Sequence, residues 1–150
     1  MNSKEKEILA KNDPKDSYDY CKNNKEANVS LHEDIVCKSN SAHFIYHFAL
    51  NIKGININKL EEAIIKTNYA GYIYYFTRHI ENINSDKLEE AIIKTDDSNY
   101  IYFFAKDIKQ SNKKKLFIRL LELNEIFYIK VFLKNVHFDK DKFEDLLLFL

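Results

Sequence analysis

The chain has no tryptophan, only two glycines and one proline among 150 residues, and a net charge of zero. So few glycines leave little room for a glycine-rich phosphate loop or a flexible linker. The 23 basic and 23 acidic residues balance, which argues against a strongly basic nucleic-acid binder or a polybasic membrane protein. No apolar run approaches membrane-spanning length, and none at the N-terminus resembles a signal peptide. The expected location is therefore the cytoplasm of a bacterium or of an infected host cell, with no membrane partner. The two cysteines, Cys21 and Cys37, both fall on apolar columns of the pattern described below and read as buried thiols rather than a disulfide. What the chain has in quantity is Lys, Asn, Ile and aromatics, with ten Tyr and eleven Phe. All of these are encoded by A/T-rich codons, which suggests an AT-rich genome.

The stretch from Lys59 to Thr67, Lys-Leu-Glu-Glu-Ala-Ile-Ile-Lys-Thr, returns letter for letter from Lys87 to Thr95, 28 residues later. The same step links Lys4, His32, Leu60, Leu88 and Leu116, then Ile8, Val36, Ile64, Ile92 and Leu120. Tyr20, Phe48, Phe76, Phe104 and Phe132 form an aromatic column, preceded by Ser17, Ile45, Ile73, Ile101 and Ile129. A period of this size marks a repeat array. Leu60, Ala63, Ile64 and Thr67 share one helical face, as do Ile73, Phe76, Thr77 and Ile80. The fold class expected is all-α: an α-solenoid of about five antiparallel helix pairs plus a closing C-terminal helix. It would form a single domain over 1–150, with units near 2–29, 30–57, 58–85, 86–113 and 114–140 and the closing helix at 141–150.

Several polar positions recur with the repeat. Ser30/Glu33, Asn58/Glu61, Asp86/Glu89 and Asp141/Glu144 read as capping boxes. The adjacent pairs Glu61-Glu62 and Glu89-Glu90 read as first-turn charges facing the helix dipole rather than as an acid/base pair. Asn28, Asn56, Asn84 and Asn112, with Asp139 one residue early, read as turn residues able to adopt the left-handed conformation. Lys4, Ser17 and Asn24 replace apolar residues in the first unit, as a polar terminal cap requires.

No catalytic group stands out. His43 and His47 are one turn apart and could share a metal with Cys37 or Glu33, but the ligand set is incomplete. No metal and no cofactor are expected. Tyr18, Tyr46, Tyr74 and Tyr102 lie two residues before the aromatic column, about 200° around the helix from it. They read as a stripe facing away from the core, with Arg78 and Lys106 beside Tyr74 and Tyr102. Inter-unit packing is the alternative, since the body of a Tyr ring is apolar. The only basic concentration is Lys106, Lys109, Lys113, Lys114, Lys115 and Arg119, which could meet phosphate or an acidic protein. The apolar end Leu146–Leu150 suggests a homodimer or partner contact.

The pattern Leu-Glu-Glu-Ala-Ile-Ile-Lys-Thr followed by Tyr-Ile-Tyr-Phe/Tyr-Phe resembles short two-helix repeats in proteins of AT-rich bacteria and their mobile elements. These are similar in kind to tetratricopeptide and HEAT arrays. The resemblance implies a binding scaffold and supplies no catalytic residue. The function expected is non-enzymatic protein binding. One concrete case is a phage- or mobile-element-encoded inhibitor of a host defence complex, such as an anti-CRISPR protein. An RNA or nucleoprotein binder using the segment Lys106–Arg119 and a self-assembling structural repeat are the alternatives.

Overall fold

The structure, a computed structural model, describes residues 1–137. Asp139, Asp141/Glu144, the closing helix 141–150 and the Leu146–Leu150 contact lie outside the described residues. Among the described residues there are ten α-helices and no strand: α1 Ser3–Lys11, α2 Pro14–Asn23, α3 Val29–Lys38, α4 Ala42–Asn51, α5 Ile57–Lys66, α6 Ala70–His79, α7 Ser85–Lys94, α8 Ser98–Asp107, α9 Lys113–Glu122 and α10 Ile126–Asn135. The fold is an all-α helical repeat, one helix pair per 28-residue period. Contacts group the chain into two compact units, Met1–Asn84 and Ser85–Leu150, divided at a repeat junction. In the first, α1, α3 and α5 pack successively in one layer and α2, α4 and α6 in another, each pair also packing within itself. In the second, α7 packs on α8 and α9 on α10, while α8 touches both α9 and α10.

The apolar columns form the core. Leu60, Leu88, Leu116, Val36, Ile64, Ile92, Leu120, Ile45, Ile73 and Ile101 are fully buried, as are Phe48, Phe76, Phe104 and Phe132. The first unit departs from a simple polar cap: Lys4 is exposed, but Ser17 is wholly buried, with no partner for its hydroxyl among the described residues. Pro14 opens α2, where its missing N–H costs nothing, and the Asp13 side chain caps the same turn.

Two polar columns play other parts than their spacing suggested. Asn12, Asn40, Asn68, Asp96 and Asn124, in the turns inside each pair, are left-handed with φ between 52° and 58°, and Asn82, after α6, has φ 58°. Asn28, Asn56 and Asn112 instead stand as N-caps with negative φ. The supposed capping-box glutamates do not reach back along their own helices. Glu5 accepts a hydrogen bond from the backbone N–H of Asn28 at 2.7 Å, Glu33 from Asn56 at 2.7 Å, Glu61 from Asn84 at 2.6 Å and Glu89 from Asn112 at 2.6 Å. Each spans 23 residues, from the first helix of one repeat to the residue that opens the next. All four side chains are buried, between 1 and 6 % exposed. A first-turn glutamate would stay in water, whereas this one is drawn in by a backbone donor that has no helical acceptor of its own. At Glu89 burial pushes the carboxyl's pKa up, and the Asn112 N–H and the Lys115 charge act against it.

The next member of the glutamate column is Phe117. It is fully buried and packs on Phe132 with ring centroids 5.0 Å apart. The polar clamp is replaced there by an aromatic contact.

Glu61 and Glu62 provide a direct contrast. Leaving the Asn84 N–H without its charged partner costs about 1–3 kcal/mol, so Glu61→Ala should lower stability by that amount. Glu62 is exposed, and Glu62→Ala should stay within about 0.5 kcal/mol of wild type. Urea denaturation of both variants checks this, and equal effects would contradict the clamp.

Candidate functional site

The tyrosine stripe is not an outward surface. Tyr46, Tyr74 and Tyr102 are only 9, 3 and 8 % exposed, and only Tyr18 is half-buried. The turn of about 200° away from the phenylalanine column is real. It points the Tyr46 and Tyr102 rings at the neighbouring repeat and not at solvent. The Tyr46 ring lies 5.8 Å from Tyr72 and 6.4 Å from Tyr75 on α6, and the Tyr102 ring 6.2 Å from Tyr128 on α10. The hydroxyls follow a rule of their own, each meeting a residue 33 positions on: Tyr18 with Asn51 at 3.1 Å, Tyr46 with His79 Nδ1 at 2.8 Å, Tyr102 with Asn135 at 3.2 Å. Tyr74 accepts from Arg78 Nη1 at 2.7 Å, and that guanidinium sits 5.9 Å from the ring centre. Tyr46 and Tyr102 are inter-repeat packing and Tyr74 is buried, which corrects the surface reading of Tyr46, Tyr74 and Tyr102.

Half of the basic segment is spent on internal bonds. Lys113 Nζ donates to the Ile108 carbonyl at 2.6 Å and to Ser111 Oγ at 2.7 Å, and burial pulls its pKa down. Lys115 pairs with Glu90. Arg119 binds Asp96 through Nε at 3.0 Å and Glu122 at 2.6 Å. Lys106, Lys109 and Lys114 remain exposed.

The densest exposed chemistry lies elsewhere, on the outward side of α4 and α6 in the first unit. Neither helix carries a carboxylate, and their charged or titratable groups are His43, His47, Arg78, His79 and tyrosines. The rings run in unbroken contact. His43 lies 4.4 Å from His47 and 6.1 Å from Tyr72, Tyr69 lies 5.3 Å from Tyr72, and Tyr75 stacks on His79 at 6.0 Å. Tyr18 joins from α2 at 6.4 Å from His47. Hydrogen bonds fix the arrangement: His43 Nδ1 meets the Tyr72 hydroxyl at 3.0 Å, and Tyr46 holds His79. His43 and His79 are exposed, Tyr69 is 60 % exposed and Tyr75 40 %. Burial, then the neighbouring His43 and Lys22, lowers the pKa of His47, so this ring stays neutral near pH 7. The buried Tyr46 hydroxyl is pushed up, chiefly by desolvation.

Beside the C-terminal ends of α4 and α6 this face borders a cleft of about 480 Å³, with Leu50, Ile52, Ile55, Ile57 and Ile80 among its lining and Lys53, His79 and Glu81 also present. Gly54, at φ +75°, makes the turn that opens it, and nothing lies within 4 Å of where a Cβ would be. His79 belongs to both face and cleft.

Among the described residues no three His, Cys, Asp or Glu side chains come together as a metal site. Glu33, once a possible third ligand for His43 and His47, is committed to the Asn56 N–H. Both cysteines are free, Cys21 buried and Cys37 half-buried. Burial pushes their thiols up to about 12 and about 11, away from the thiolate that a nucleophile requires. No helix among the described residues is long and apolar enough to cross a membrane.

No family model, curated protein or solved structure matches this chain.

The histidines and tyrosines of this face were visible in the sequence as departures from the buried columns, one residue beside each. Helical phase alone does not separate Tyr46 from His47. Only the position of the flanking helix α6 does. Tyr46→Ala should therefore cost about 3–5 kcal/mol, as emptying a buried aromatic site does. Tyr75→Ala should cost less than about 1 kcal/mol. Thermal unfolding of the two variants checks the assignment, and a reversed order would return the Tyr46 column to the surface.

Proposed function

We propose that the chain is a non-enzymatic protein-binding repeat whose contact surface is the outward face of α4 and α6 with its adjoining cleft. The observation that carries this is the division of labour in the first unit. The framework glutamates and tyrosines are taken up by other repeats. His43, Tyr69, Tyr75 and His79 hold their rings open to solvent. Rigid Tyr-rich surfaces beside an apolar recess are typical of interface hot spots. An array of short repeats presents such a surface on a scaffold whose framework need not change. Against RNA, two cations of the most basic segment are paired, Lys115 with Glu90 and Arg119 with Asp96 and Glu122. A stoichiometric inhibitor of a host defence complex, as an anti-CRISPR protein is, would be a narrower form of the same reading.

The test is capture of the partner from the native host, followed by binding measurements on the purified pair. Replacing both His43 and Tyr75 by Ala should weaken capture at least about tenfold, the effect of losing one or two hot-spot contacts. Lys109→Ala together with Lys114→Ala should leave it unchanged. Retention on an oligonucleotide that is lost with added salt and with the lysine variants would instead support the RNA reading.

A further inference from the structure

We propose that the first repeat carries an acid-sensitive latch at Glu5 and His32, independent of how the α4–α6 face is used. In three later repeats this place on the first helix is held by Leu60, Leu88 and Leu116, all fully buried. Here it is a histidine that is equally buried, at 0 % exposure, and neither ring nitrogen has a hydrogen-bond partner among the described residues. Its Nε2 lies 3.4 Å from Glu5 Oε1, too long and poorly aimed for a hydrogen bond. That same oxygen already accepts the Asn28 N–H. The ring packs on Tyr20, centroids 5.1 Å apart, and the Tyr20 hydroxyl meets Asn2 at 3.2 Å. The histidine thus sits under α1, against the oxygen that ties the first repeat to the second.

The groups around it set the direction of its response. From α1 comes Glu5, and from α2 come Tyr20 and the Cys21 thiol, itself raised partly by Glu5. On α3, Glu33 and Asp34 are engaged by Lys59 of α5. The α4 groups His43, Tyr46 and His47 are held in ring contacts with α6 or with one another. Desolvation therefore dominates, and Glu5 offsets it only in part, so the folded-state pKa of His32 lies below the ordinary imidazole value of 6.5. The unfolded or opened segment binds the proton more tightly than the closed one. The latch is therefore at full strength above about pH 6.5 and weakens as pH falls below it. The opening equilibrium rises by up to about tenfold per pH unit until the closed form also takes up the proton. Opening lifts α1 off α3 and breaks the first of the glutamate clamps.

Amide hydrogen exchange on the full chain at about pH 7.5 and about pH 5.5, corrected for intrinsic rates, reads this opening directly. Protection in α1 and the start of α3 should fall on acidification by up to about tenfold per unit below the imidazole value, while α5 and α6 keep theirs. His32→Leu, the residue used at this place in later repeats, should hold α1 protected at both pH values. Nuclear magnetic resonance titration of the wild-type His32 ring needs no variant and should give a midpoint below the ordinary imidazole value. A wild-type chain with unchanged α1 protection, a His32→Leu chain that loses it equally, or an ordinary or raised midpoint would each overturn the proposal.

Discussion

A buried glutamate accepting the backbone N–H of the residue that opens the next repeat is the interaction on which the array depends. Helices of nine or ten residues are too short to persist alone in water, so their stability has to come from neighbours. Apolar columns supply most of that, but burial is non-directional and does not fix one repeat's register on the next. The glutamate does, because a backbone donor near a helix start has one position and one direction. A charged acceptor is also the strongest partner such an N–H can find. The same bond at Glu5, Glu33, Glu61 and Glu89 sets the 28-residue step physically as well as in sequence. Where the column becomes Phe117, the fixing point changes from a polar bond to ring packing.

The second layer is organised by a related device. Tyrosines between the second helices bury their ring bodies and send their hydroxyls to a side chain 33 residues on, whether Asn51, His79 or Asn135. Because the acceptor or donor at that place varies, the column tolerates change without losing its bond. Both devices keep the framework's polar groups inside the array. What is left outward on α4 and α6 is consequently free to carry recognition, and the rings collected there are held rigid by the scaffold beneath them. Rigidity of this kind lowers the entropy lost when a partner docks.

Much of the architecture was legible from the repeat alone. The period, the helix pairs and the fully buried Ile, Leu and Phe columns follow from 3.6-residue phasing of identical letters. The roles of Glu61, Tyr46 and the Asn56 column did not follow, and for one reason. Phasing within a helix says which residues share a face, not which faces meet the neighbouring repeat. Glu61 looked like a cap because a cap is the nearest local use for it, while its partner Asn84 lies 23 residues away. Tyr46 reads as either surface or inter-repeat packing from phase alone, because the apolar columns do not say where the neighbouring helix lies. Asn12, Asn40, Asn68, Asp96 and Asn124 form a 28-residue column of their own, and spacing alone does not say which asparagine column turns left-handed. His32 is legible as a histidine in a leucine place, but its burial against Glu5 is set by the packing of α1 on α3, which spacing does not show.

The central claim is tested most directly at the amide protons of Asn28, Asn56, Asn84 and Asn112. These residues are exposed, and residues opening a helix ordinarily exchange their amides quickly because no helical carbonyl reaches them. Residue-resolved hydrogen exchange near neutral pH should find all four as slow as amides in the helix interiors, since each is bonded to a buried carboxylate. Exchange at the rate of open turns would show that the glutamates do not tie the repeats together.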